Sequence, residues 1–128
     1  MVQPNTTGYA NAAMSDVWKD FLVNKVNSFI KWDLVRFFHE NPHTTDTADN
    51  IAFVVGRDEK VTRRELDGLV RVGVLEKKTV SNVTVYTYTA DKTVRDRVCD
   101  FVTACHDRDF RVKAINQVIA TMDVPRHS

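Results

Sequence analysis

Glycine and proline are scarce in this chain, four and three among 128 residues, so there is little material for long loops. Long apolar runs are missing as well. None approaches the roughly 18–20 residues of a membrane span, so no transmembrane helix is expected. Residues 1–13 lack a basic start followed by an apolar stretch and do not read as a secretory signal. They are polar and small, and are expected to be a disordered tail. A cytoplasmic protein is the default that follows. Cysteine is limited to Cys99 and Cys105. Two in a helix-rich chain suggest reduced thiols rather than a disulfide framework. There is no glycine-rich phosphate loop, no nucleophile elbow and no carboxylate pair in a defined setting, so an enzyme is not expected. Among His39, His43, Cys105 and His106, the one pair near a zinc-ligand spacing, His39 and His43, is broken by Pro42. Neither a metal nor a cofactor is expected.

Charge of one sign is also lacking overall, with a formal net charge of +1. Its distribution is uneven. Residues 1–56 hold four Lys/Arg against six Asp/Glu, residues 57–97 ten against seven, and residues 98–128 four against four. The positive excess falls in the middle of the chain, and it is modest.

What is present is 43% hydrophobic and 27% charged residues, enough for one domain over residues 14–128 if flanking helices help bury its core. Helical periodicity dominates both ends. Ser15 can cap a helix with Val17, Trp18, Phe21, Leu22 and Val26 on one side. Ser28 can cap another with Phe29, Ile30, Leu34, Phe37 and Phe38 inward, ended by Asn41-Pro42. These are either two helices or one helix bent near Asn27-Ser28. A cap-rich loop, His43-Thr44-Thr45-Asp46, leads to a short helix over about 47–55 with Ile51, Ala52, Val54 and Val55 as its apolar residues. Gly56 ends it. A second short helix spans about 61–72, with Leu66, Leu69, Val70 and Val72 inward and Gly73 at its end. The period then changes to that of strands. Residues 74–79 and 83–88 form a hairpin around Val80-Ser81-Asn82. A long helical pattern follows with Val94, Val98, Phe101, Val102 and Cys105. After an interruption at 106–109, a last amphipathic helix carries Val112, Ile115, Val118, Ile119 and Met122.

The order helix, Gly turn, helix, Gly, hairpin carries a pattern at residue level. Ile51-Ala52, Gly56, Leu66, Leu69, Val72 and Gly73-Val74-Leu75 follow one another without a gap, and the hairpin ends in Tyr86-Thr87-Tyr88-Thr89. In these features residues 46–89 resemble the winged helix-turn-helix transcription regulators of the MarR and ArsR type. That is about a third of the chain, and the two ends carry no such match. The resemblance implies a mainly α fold with a small β-hairpin (α+β). The helix-turn-helix would occupy about 46–73, the wing about 74–89 and the C-terminal helices about 91–122. Thr62 departs from the pattern, standing where an apolar residue is usual. Gly68 departs too, inside a helix where it costs up to about 1 kcal/mol against Ala, unless it admits a close neighbour.

The resemblance also implies sequence-specific binding of double-stranded DNA by a small regulator, with the second helix in the major groove. By the family pattern Lys60, Thr62, Arg63, Arg64 and Asp67 meet base edges, with Arg63 and Arg64 as the base readers. Lys77, Lys78, Ser81 and Asn82 lie on or near the wing, placed for phosphates or the minor groove, and Arg57 in the turn is a further phosphate contact. Glu65 and Asp67 work against affinity. The flanking helices are expected to make a homodimer. Two rival readings remain open. One is a winged helix that binds proteins and not DNA; the other is a regulator that responds to a ligand or to oxidation. For the cysteines, Cys105 falls on the Val94-Val98-Phe101 stripe and reads as core, while Cys99 is offset toward the surface.

Overall fold

Residues 14–123 are described by the computed structural model. The tail expected over 1–13 lies outside them. Among the described residues, six helices and three strands follow in the order α1 (Asp16–Asn24), α2 (Phe29–Glu40), β1 (Thr45–Asp46), α3 (Ala48–Val55), α4 (Glu59–Arg71), β2 (Leu75–Val80), β3 (Val83–Tyr88), α5 (Lys92–Ala104) and α6 (Arg108–Asp123). The fold is mainly helical with one small antiparallel sheet, and no described helix is long and apolar enough to cross a membrane.

Local chemistry sets most of the boundaries. Ser28 accepts a hydrogen bond from the Lys31 backbone N–H and starts α2, so α1 and α2 are two helices. Ser15 occupies the cap position of α1 without making a side-chain bond. Thr47 caps α3 through the Asn50 N–H, and Gly56 closes that helix at φ +73°, the left-handed region that glycine enters without a Cβ clash. Asp58 caps α4 through the Val61 N–H. That helix therefore begins at Glu59, two residues before the start expected from periodicity. Asp91 accepts from the Thr93 and Val94 N–H groups and starts α5. The hairpin turn is tighter than expected. Val80 pairs with Val83, leaving only Ser81 and Asn82 in the turn, at φ +51° and +68°. Two residues of positive φ match the right-handed twist of the flanking strands.

The sheet has three strands, where two were expected. Thr45–Asp46 pairs with β3 in the register Thr45 to Thr87 and Asp46 to Tyr86, giving the order β1-β3-β2. The Thr45 hydroxyl donates to that of Thr87 at 3.2 Å. β3 is thus a central strand, and its Tyr86 and Tyr88 are buried.

The core joins every layer: Leu22 and Val26, Leu34, Val35 and Phe38 of α2, Ile51 of α3, Leu66 and Leu69 of α4, Val98 and Phe101 of α5, and Ala114 and Val118 of α6. α2 packs against α3, α4 and α5, and α1 packs on α6. Some apolar residues expected inside are not there. Val54 is 63% exposed and its neighbour Phe53 87%, because Ile51 and Ala52 take the inward face of the two-turn α3. On α6 the buried residues are Ala114 and Val118, while Val112, Ile119 and Met122 face solvent. Val17 of α1 is exposed as well.

Candidate nucleic-acid interface

α4 is the amphipathic element of this chain. Thr62, Leu66 and Leu69 recur at helical spacing and point into the core. The opposite side carries Lys60, Arg63, Arg64, Asp67 and Arg71. The side chains of Lys60 and Arg64 have no hydrogen bond or ion pair with any described residue. Arg71 shares their stripe, at i+7 from Arg64. Sequence reasoning missed it, although the same helical spacing places it there.

Thr62 does not belong to the exposed set. It is fully buried, and its Oγ1 has no hydrogen-bond partner among the described residues. Helical phase explains this: Thr62 falls four residues before Leu66, in the slot where an apolar residue is usual. Expecting it at base edges is thereby corrected.

Arg63 and Arg64 differ although they are adjacent. Arg63 bonds Glu59 one turn back and reaches Asp49 of α3 at 3.3 Å. Arg57, in the α3–α4 turn, is held by Asp33 of α2. Glu65, expected to oppose an anionic partner, is turned away from the exposed stripe. Its carboxylate accepts from the Ser28 hydroxyl at 2.8 Å and lies 3.7 Å from the Lys31 ammonium. Lys31 in turn lies across Gly68. A Cβ there would sit 2.8 Å from the Lys31 Cε, so the glycine inside α4 admits a side chain of α2.

Asp67 ties α4 to the hairpin. Its Oδ1 accepts from the Tyr86 hydroxyl at 2.6 Å and from the Lys77 ammonium at 3.0 Å. Lys77 also lies 5.8 Å from the centre of the Tyr86 ring. Asp67 and Lys77 are therefore committed to each other. On the hairpin, Lys78, Ser81 and Asn82 are exposed, and the Lys78 side chain makes no hydrogen bond or ion pair with a described residue.

Burial raises the Asp67 pKa, but hydrogen bonds from Tyr86 and Lys77 and the charges of Lys77 and Arg71 outweigh it, so the net shift is downward. Burial and the Asp67 contact push the Tyr86 phenol upward. A carboxyl whose pKa folding lowers stabilises the fold above the ordinary carboxylate range and loses that contribution as pH falls through the lowered value. Wild type should therefore lose more stability than Asp67→Asn from about pH 5 to pH 2. Thermal melts across that range are the check, and parallel profiles would show that Asp67 contributes no such link.

Cys99 and Cys105 are free thiols; Cys99 is exposed as its offset indicated, while Cys105, expected in the core, is only partly buried at its edge, at the cap that ends α5. Burial pushes the Cys105 thiol up to about 11, against the lowering effect of Arg111 and Arg36. A thiol reagent near neutral pH should modify Cys99 at least about tenfold faster than Cys105. Cys99→Ser should retain only the slow phase; a fast phase surviving in it would contradict the assignment. Among the described residues, no group of three or more His, Cys, Asp or Glu is placed to hold a metal ion.

Compared with protein-family models, with curated proteins and with solved structures, the chain matches none.

Proposed function

We propose that residues 45–88 are a winged helix-turn-helix and that the chain binds double-stranded DNA as a small transcription regulator. The observation that carries this reading is the exposed stripe of α4. Lys60, Arg64 and Arg71 share one side of a helix that the Asp67–Tyr86–Lys77 link holds beside a hairpin bearing Lys78, Ser81 and Asn82. A helix fits the major groove, and guanidinium pairs with guanine through two hydrogen bonds. Arg64 is the base reader in this reading. Arg63 is secondary, because its guanidinium would have to leave Glu59 and Asp49 first. Lys60, Lys78 and Arg71 hold phosphates. With Glu65 engaged by α2 and Asp67 neutralised by Lys77, the stripe is more positive than its composition suggested.

The regulator acts as a cytoplasmic homodimer, joined through α1 and α6. The exposed Val17, Val112, Ile119 and Met122 support that contact. Two half-sites about one helical turn apart then follow from the two-fold axis. A gel shift with random duplex at low salt tests the function. Binding that weakens steeply with salt is expected, and no affinity for any duplex would sink the reading. Selection of bound duplexes from a random pool would then give the operator.

One observation favours a second reading, a protein-interaction module. Phe53 and Val54 form an apolar step on α3 that the fold itself does not use. The same gel shift, if negative, favours it.

A further inference from the structure

A groove runs along α2 on the side away from the hairpin, walled by the end of α5 and the start of α6. It consists of two depressions of about 250 and 310 Å³ that share Trp32, Arg36 and Arg111. Joined, they fall in the size range of small-molecule sites, roughly 300–1,000 Å³. The first is floored by Phe29, Trp32 and Ile115 and is mostly apolar. The second adds Glu40.

The order of these groups along α2 is informative. Phe29, Trp32, Arg36 and Glu40 stand three, four and four residues apart, on one face of the helix. Successive members are about one turn, roughly 5 Å, apart along the axis. The groove thus offers an apolar floor, then a cation, then an anion, in line. The charges are largely uncommitted. Arg36 approaches Asp33 only to 3.8 Å, and Asp33 is already held by Arg57. Arg111 uses Nη1 to donate to the Cys105 carbonyl at 2.8 Å, leaving its other donors unassigned. Both guanidiniums line both depressions, so they stand where the two join. Glu40 pairs with no described residue.

From this arrangement we infer that the groove is a binding site for an α-amino acid with an apolar side chain. The carboxylate sits between the forks of Arg36 and Arg111. The ammonium turns toward Glu40, and the side chain lies on Trp32 and Phe29. Other chemistries fit less well. A simple carboxylic acid leaves Glu40 facing a like charge. A simple amine leaves the Arg111 guanidinium uncompensated and Arg36 with only the distant Asp33. A neutral molecule answers neither. The inference does not depend on DNA binding, and either can fail without the other.

The test is a titration of the ¹⁵N-labelled full chain, following the Trp32 indole resonance, identified by its loss in Trp32→Phe. The probes are L-phenylalanine, 3-phenylpropanoate, which lacks the ammonium, and 2-phenylethylamine, which lacks the carboxylate. L-Phenylalanine should give a saturable shift with a Kd below about 1 mM, at least about tenfold tighter than either analogue. Arg36→Gln and Arg111→Gln should each weaken it by about tenfold or more. Arg111 also supports the end of α5, so Arg36→Gln decides if Arg111→Gln does not fold. Glu40→Gln should remove the preference over 3-phenylpropanoate. The proposal is overturned by the absence of a saturable shift up to about 10 mM. Equal affinity for either analogue, or full affinity in Arg36→Gln, overturns it too.

Discussion

Arg64→Ala is expected to weaken duplex binding by about 1–3 kcal/mol, roughly ten- to a hundredfold, and to relax sequence preference at one position of the half-site. Adding Lys60→Ala should take affinity down further and reduce the salt dependence by about one phosphate contact. Arg63→Ala should do less, even though it is the neighbouring residue and the same side chain. Its guanidinium is bonded to Glu59 and Asp49, so DNA must compete with two carboxylates for it. A series of binding isotherms at several salt concentrations, on a selected and on a scrambled duplex, separates these effects. Equal losses for Arg63→Ala and Arg64→Ala would mean that the ion pairs do not discriminate the two. No loss in either would remove α4 from the interface.

Phe101→Ala should be the most destabilising of the substitutions considered, by about 3–5 kcal/mol. Phe101 is 1% exposed and stands at the centre of an aromatic cluster. Its ring centroid lies 5.1 Å from that of Phe21, 5.1 Å from Trp32, 5.9 Å from Trp18 and 6.2 Å from Phe110. The cluster draws on α1, α2, α5 and α6, so one truncation opens a cavity where four helices meet. A domain of this size is stable by only about 5–15 kcal/mol. Urea unfolding should show the midpoint falling sharply with little change in slope. A loss below about 1 kcal/mol would mean that the cluster collapses around the gap.

Much of this fold is legible in the sequence, for reasons that are local. Gly56 marks a helix end because only glycine enters that backbone region cheaply, and Ser28 and Thr47 mark helix starts because their oxygens reach backbone N–H groups. The hairpin shows through its β-branched runs and the polar residues of its turn, read as Val80-Ser81-Asn82 and found to be Ser81-Asn82 alone. What escapes notice is set by distant partners. Two residues of β1 carry no periodicity; Thr45 and Asp46 become a strand only because Thr87 and Tyr86 lie beside them. Asp58 displaces the start of α4, while Thr62 belongs to the core because it shares the inward phase of Leu66 and Leu69. The roles of Arg57, Arg63, Glu65 and Asp67 depend on Asp33, Asp49, Ser28 and Tyr86, residues up to 37 positions away that no local pattern connects. The exposed face of α6 is hidden for a related reason. Its apolar residues outnumber the places that the core offers, so Ala114 goes inside while Val112 and Ile119 stay out.

The shared oxygen of Asp67 has a consequence for the proposed DNA binding. Because Tyr86 and Lys77 are bonded to the same atom of α4, helix and hairpin act as a pair of callipers with a fixed opening. Under the proposed function such a tool would gauge the width of a duplex before it reads any base. Under the proposed function B-form DNA, with a major groove wide enough for a helix, is the expected partner. An A-form RNA duplex of identical sequence presents a deep and narrow major groove, so under the proposed function it is expected to bind more weakly.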